Sequence, residues 1–298
     1  MAELFPGFEE RRVATEGAEI FCRIGGEGPP LLLLHGYPQT GAMWHKVAPA
    51  LAAHFSLVIA DLRGYGRSAK PDTMADHAPY AKRAMARDMA EVMTALGHER
   101  FFLAGHDRGG RVAHRLALDH AERVARLAVL DIAPTREMYR STDEAFARAY
   151  WHWFYLIRPA PMPERMIGAD PDAFLKEKLS GLTGTLENFD ERALAEYLDG
   201  FRNPATIHAS CEDYRAAATI DLAHDDADGG RKVACPLLVL WGLKGVIERC
   251  FDPLALWRER AEQVDGFALP CSHYLAEELP DETAEALSDF FAVETASL

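Results

Sequence analysis

Short apolar runs recur along this chain at intervals too short for separate helical domains, and most are followed by a glycine-punctuated turn and an amphipathic stretch. The runs lie at 31–34, 57–60, 101–104 and 127–130, and resume at 236–241 and 267–269. Four or five consecutive apolar residues ending at a turn suit a strand buried on both faces, and strands alternating with helical patterns make a mostly parallel sheet covered by helices. Between the strands, periodicity predicts helices over 42–53, over 80–96 with Gly97 as the stop, over 109–120, and over 281–291. The chain is therefore expected to be α/β.

This rhythm breaks once. From 136 to 232 no buried strand is legible; the segment is aromatic, helical in pattern and interrupted by Pro159, Pro161, Pro163, Pro171 and Pro204. The expected organisation is a core of 1–135 and 233–298, with 136–232 inserted as a helical cap over the ends of the sheet. The acidic cluster His224-Asp225-Asp226-Ala227-Asp228 lacks regular metal-loop spacing and is expected to be a solvated hinge.

Bulk properties remove several function classes. The net charge of −14 argues against nucleic acid or an anionic membrane as partner. The five cysteines are an odd number without metal-ligand spacing and read as reduced thiols. No apolar run approaches membrane-spanning length, and Met1 to Arg12 lacks the basic-then-apolar pattern of a signal peptide. The expectation is a cytoplasmic protein with no metal and no cofactor.

Chemistry enters at Gly105-His106-Asp107-Arg108-Gly109, which falls between the strand at 101–104 and the helix that follows. A G-x-nucleophile-x-G pattern in that context is a nucleophile elbow: the glycines permit a sharp turn that raises the central side chain above the sheet. Here that side chain is a carboxylate. A serine that displaced a group from saturated carbon would end as an ether and never turn over. A carboxylate ends as an ester, which water can cleave. Asp107 thus points to displacement at sp3 carbon, either halide loss or epoxide opening. His273, after the last strand signal, is the expected base for water. Asp131, which ends the strand at 127–130, is the expected orienting acid, with Glu248 as fallback because Gly242-Leu243-Lys244-Gly245 carries no carboxylate. The backbone N–H groups of Tyr37 and Arg108 are the candidate oxyanion donors.

The segments His35-Gly36-Tyr37-Pro38-Gln39-Thr40, Gly105-His106-Asp107-Arg108-Gly109-Gly110-Arg111, Asp131-Ile132-Ala133-Pro134-Thr135, Tyr150-Trp151-His152-Trp153 and Cys211-Glu212-Asp213-Tyr214-Arg215-Ala216, with His273, resemble the fluoroacetate dehalogenases, a family of the α/β-hydrolase fold. The similarity runs over nearly the whole chain. Tyr37 stands where phenylalanine is frequent in that family, and the loop after Trp241 differs. The resemblance implies that His152, Trp153 and Tyr214 donate hydrogen bonds to a departing halide, and that the protein is a homodimer. Without it, a His-Trp pair in a helix reads as core packing, as do Tyr150, Trp151 and Tyr155.

Haloalkane dehalogenases commonly carry tryptophan after the nucleophile. Here Arg108 takes that place, and Arg111 follows three positions on, one helical turn away. Two guanidiniums suit a substrate carboxylate, which arginine grips with paired hydrogen bonds. The expected reaction is hydrolytic dehalogenation of a short 2-haloacid, fluoroacetate leading. The alternatives are the same chemistry with chloride preferred, an epoxide hydrolase with Tyr214 as proton donor, and a non-catalytic ligand-binding protein of the same fold.

Overall fold

The computed structural model describes residues 3–292. Eight strands form one sheet: β1 (Glu9–Ala14), β2 (Glu19–Gly25), β3 (Pro30–Leu34), β4 (Ser56–Ala60), β5 (Phe101–His106), β6 (Val124–Leu130), β7 (Leu237–Gly242) and β8 (Val264–Leu269). Their order is β1-β2-β4-β3-β5-β6-β7-β8. Pairing is parallel from β4 through β8, while β1 with β2 and β2 with β4 are antiparallel. The mostly parallel α/β sheet expected from the strand rhythm, and the α/β-hydrolase fold implied by the resemblance, are the fold observed. Every residue of β5 and β7 is buried, as continuous apolar runs require when helices cover both faces.

The sequence reading missed β1 and β2. Glu9-Glu10-Arg11-Arg12 is charged and exposed, with only Val13 buried in β1. An edge strand has one unpaired side, and charges there discourage pairing with another chain. The property that suits β1 to its place also hid it. The helix expected over 42–53 is two pieces, a 3-10 turn at Gly41–Trp44 and a short helix at Ala48–Ala52, because Pro49 belongs in a first helical turn and restarts the helix. The other helices that periodicity predicted lie at Lys82–Ala95, Arg108–Asp119 and Pro280–Ala292, and the core adds short ones at Val246–Cys250, Pro253–Arg258 and Leu275–Glu278.

Eight helices lie between β6 and β7, and no strand lies there. Their starts are locally encoded: Asp143, Asp170, Asp190 and Asn203 each accept a hydrogen bond from an N–H of the turn that follows. The acidic cluster at 224–228 is a correction. It is helical, within Ile220–Asp228, and its carboxylates are ion-paired: Asp225 and Asp228 with Arg115, Asp226 with Arg136 and Arg140. Among the described residues, no helix is long and apolar enough to cross a membrane.

Neighbouring parallel strands end side by side, so the loops leaving β3, β5, β6, β7 and β8 gather at one edge of the sheet. In an open α/β sheet, that carboxyl edge is where ligands bind.

Candidate active site

Asp107 follows β5 directly and has φ +46°, a backbone conformation that L residues seldom adopt. The turn is possible because its flanking glycines leave no side chain in the way: a Cβ on Gly105 would lie 2.5 Å from the Gly109 carbonyl oxygen, and one on Gly109 would lie 2.5 Å from that of His35. The Asp107 carboxylate does not cap the helix that begins at Arg108. Instead its Oδ1 accepts the Tyr37 N–H at 2.9 Å. Burial works against the Asp107 charge, but His273, Arg111, His106 and Arg108 outweigh it and hold the pKa down to about 2. The carboxylate is therefore ionised, and among the described residues only its Oδ1 has a hydrogen-bond partner.

His273, Asp131 and Asp107 converge. The His273 Nδ1 lies 2.6 Å from Asp131 Oδ2, and the other Asp131 oxygen accepts the Gly242 N–H at 2.9 Å. Asp131 is fully buried and, like Asp107, has a positive φ, +49°. Burial pushes its pKa up, against the lowering by His273 and the Gly242 N–H. With Nδ1 committed to Asp131, the Nε2 of His273 is the nitrogen left for other work. The fallback acid Glu248 plays no part here: it is exposed and accepts the Trp241 indole N–H.

His106 was given no role by the sequence reading. Its Nε2 lies 2.8 Å from the backbone carbonyl of His273, and burial lowers its pKa to about 3, so the ring is neutral and donates from Nε2. It ties the nucleophile's strand to the histidine loop.

The two arginines are placed differently from one another. Arg108 does not present an open fork. Its Nε and Nη2 reach the Asp213 carboxylate at 2.9 and 2.6 Å, and Nη2 also reaches the Asp213 carbonyl oxygen at 2.9 Å. Only Nη1 is left, buried and without an acceptor. Asp213 is in turn paired with Lys82 and accepts the Tyr65 hydroxyl at 2.6 Å. Arg111 has no acid: Nη1 donates to the Ala133 carbonyl at 3.1 Å and to Thr135 Oγ1 at 2.8 Å, while Nε has no acceptor. Each arginine thus offers single N–H donors from an anchored guanidinium rather than a whole fork.

Above these groups lies an aromatic box. Arg108 sits 4.2 Å over the Tyr214 ring and Arg111 4.6 Å over Trp153. The His152 ring is 5.7 Å from Tyr214 and 6.1 Å from Tyr37. His152 Nδ1, Trp153 Nε1 and the Tyr214 hydroxyl are all buried with no hydrogen-bond partner. Of the three neighbours assigned to packing, Tyr150 is buried and stacks on Trp153, and Tyr155 is partly buried against the core. Trp151 is different: it is 44% exposed.

Comparisons with known proteins place the chain in a family. The sequence profile of the alpha/beta hydrolase fold family matches residues 29–278. The chain is 50% identical over 290 residues to a fluoroacetate dehalogenase from a Burkholderia species, covering 97% of this chain and 95% of that protein. It is 33% identical over 273 residues to a soluble epoxide hydrolase from a Corynebacterium species, covering 90% and 91% respectively. The crystal structure of an alpha/beta hydrolase from Nostoc sp PCC 7120 superposes with a TM-score of 0.95 at 56% identity, covering 96% of this chain and 99% of that one. The chain belongs to the α/β-hydrolase family and, within it, to the family of the fluoroacetate dehalogenases.

Proposed function

We propose that this protein hydrolyses the carbon–halogen bond of short 2-haloacids, fluoroacetate foremost, through a covalent ester on Asp107. One observation carries the reading: an ionised carboxylate lies in the field of Arg108 and Arg111, and the buried Arg108 Nη1, Arg111 Nε, Trp153 Nε1 and Tyr214 hydroxyl have no acceptor among the described residues. Burying an unpaired donor costs about 1–3 kcal/mol, so a pocket that keeps several is organised for an anion that arrives from outside. A haloacid brings two such acceptors, its carboxylate and its halogen.

In the first step Asp107 Oδ2 attacks the carbon that bears halogen. The C–O bond forms as the C–X bond breaks, and the electron pair leaves with the halide. Arg108 and Arg111 hold the substrate carboxylate, while His152, Trp153 and Tyr214 receive the halide. In the second step His273 Nε2 takes a proton from water, and the hydroxide attacks the Asp107 carbonyl carbon. The negative charge that develops on Oδ1 already has the Tyr37 N–H beside it, and the Arg108 N–H, first in its helix and free of an intrahelical acceptor, is the second donor. Collapse breaks the bond to the alkyl oxygen, which leaves as the 2-hydroxyacid on taking the proton from His273 Nε2, and the Asp107 carboxylic acid releases its proton to solvent to restore the carboxylate. In this reading residues 136–232 act as the cap that keeps bulk water from the halide.

The test is halide release by the wild-type enzyme from fluoroacetate and chloroacetate side by side, with styrene oxide as control. Fluoride release at a rate comparable to or above that of chloride is the expected result. Chloride release alone would limit the reading to haloacid hydrolysis with no special provision for fluoride. Turnover of the epoxide and of neither haloacid would overturn it, since paired arginine donors have no purpose in that reaction.

A further inference from the structure

The helix Pro171–Thr183 in the helical segment carries a residue that the mechanism above does not use. Its buried stripe is Leu175, Lys178 and Leu179, spaced for one face of a helix. A lysine on that stripe is unexpected, because an ammonium on an apolar face costs several kcal/mol unless something answers its charge. Lys178 is only 5% exposed and makes no hydrogen bond or ion pair with any described residue.

Its position in the fold says what it faces. Phe174, one turn earlier on the same helix, stacks on Phe201 at 6.0 Å, and Phe201 lies edge-on to Tyr37 at 6.1 Å, whose N–H holds Asp107. Phe174 also packs on Trp151, the neighbour of His152 in sequence. The ammonium of Lys178 is within electrostatic reach of Asp107 and of His152. Burial pulls its pKa down to about 7, and Asp107 is the charge that pulls the other way.

The displacement step moves one negative charge. Before it, the charge is on Asp107. After it, Asp107 is a neutral ester and the halide is the anion. Donors below the reacting carbon hold the substrate carboxylate through both states, so only groups on the far side, around His152, can favour the charge in its new place. The three donors there are neutral: a histidine whose pKa burial holds well below its ordinary value, an indole and a phenol.

We propose that Lys178 is the charged member of the halide site, an ammonium that pairs with the departing halide once Asp107 has been esterified. The proposal rests on the haloacid reading above and extends the halide site onto a helix to which nothing had assigned a role. An ammonium closer to the departing halide than to Asp107 favours the transition state over the ground state, in which it feels the Asp107 charge from further off. It is therefore felt in kcat and in product inhibition by halide, and little in KM. Fluoride, the smallest halide, gains most from a compact ammonium.

Lys178→Met and Lys178→Arg decide it. Methionine fits the stripe of Leu175 and Leu179 and removes a buried charge without a partner, so the variant is expected to melt no lower than wild type. Its kcat for fluoroacetate is expected to fall ~10-fold or more, with KM nearly unchanged and inhibition by added chloride or bromide weakened by a similar factor, the size of one charged hydrogen bond. Lys178→Arg is expected to keep most of the activity. A Met variant with wild-type kcat and wild-type halide inhibition overturns the proposal. If wild type releases halide from no haloacid, the functional reading fails by itself. Direct binding of bromide and fluoride, followed by tryptophan fluorescence, then still separates the two. Halide that binds wild type and not Lys178→Met upholds the site, and equal binding, or none to wild type, overturns it.

Discussion

Replacing Asp131 by asparagine separates the two half-reactions, and the structure says by how much. The Asp131 side chain makes two bonds: Oδ1 accepts the Gly242 N–H at 2.9 Å and Oδ2 meets His273 Nδ1 at 2.6 Å. An asparagine in that fully buried site must give its one oxygen to one of them. Placing its NH2 against the Gly242 N–H would set donor against donor, so the oxygen stays with Gly242 and the NH2 turns to His273. The imidazole is then forced to accept at Nδ1 and to carry its proton on Nε2, the nitrogen that has to take a proton from water. Loss of the charged bond alone is worth ~1.5–3 kcal/mol, or about 10- to 150-fold in rate. An inverted tautomer costs more, ~10^4-fold where the same exchange is made in a serine protease. We therefore expect steady-state halide release to fall ~10^3- to 10^4-fold. Attack by Asp107 needs no base, so the first equivalent of halide is expected to leave in a burst at close to the wild-type rate. Rapid-quench measurement of halide gives the burst, and mass spectrometry of the stalled protein gives the ester as one added carboxymethyl group per chain. A burst slowed by the same factor as the steady state, with no ester accumulating, would refute the assignment of Asp131 and His273 to the second step alone.

Three other perturbations address the surrounding structure. Tyr214→Phe removes a buried hydroxyl that has no partner in the resting protein, so stability is expected to rise, by up to about 1–3 kcal/mol in urea melts, while fluoride release slows more than chloride release. Asp213→Asn leaves Arg108 buried without its carboxylate and Lys82 with Asp221 alone, 3.5 Å away; it is expected to cost ~3–5 kcal/mol by denaturant unfolding and to raise KM for the haloacid as Arg108 loses its anchor. Glu277, buried and hydrogen-bonded by Tyr197, has its pKa raised by burial from 4.5 to about 7. The folded protein therefore binds a proton that the unfolded chain releases between pH 4.5 and about 7, and stability falls as pH climbs through that window by at most ~3 kcal/mol. Glu277→Gln is expected to flatten that part of the stability–pH curve, and an unchanged slope would refute the shift.

The local sequence determined what local chemistry can determine. A run such as Leu31–Leu34 or Phe101–Ala104 is a buried strand wherever it sits, and glycines two residues either side of Asp107 allow the turn whatever surrounds it. Strand ends in a parallel sheet share one edge, so Asp107, Asp131 and His273 were placed near one another by their position in the strand rhythm alone. The helix starts at Asp143, Asp170, Asp190 and Asn203 are legible for the same reason, since a cap needs only the residues beside it.

Tertiary structure decided the rest because it depends on pairings far apart in the chain. The guanidinium of Arg108 reads in sequence as a free fork; Asp213, 105 residues on, closes most of it. His106 looks like any residue of a strand end until the His273 carbonyl, 167 positions away, is found on its Nε2. β1 is hidden by charges that suit its edge, and edge or centre is a property of the whole sheet. Lys178 shows the difference most plainly. Its place on an apolar stripe is written in the sequence of one helix, but whether a buried charge is a cost or a tool depends on the charges the fold brings within its reach, here that of Asp107.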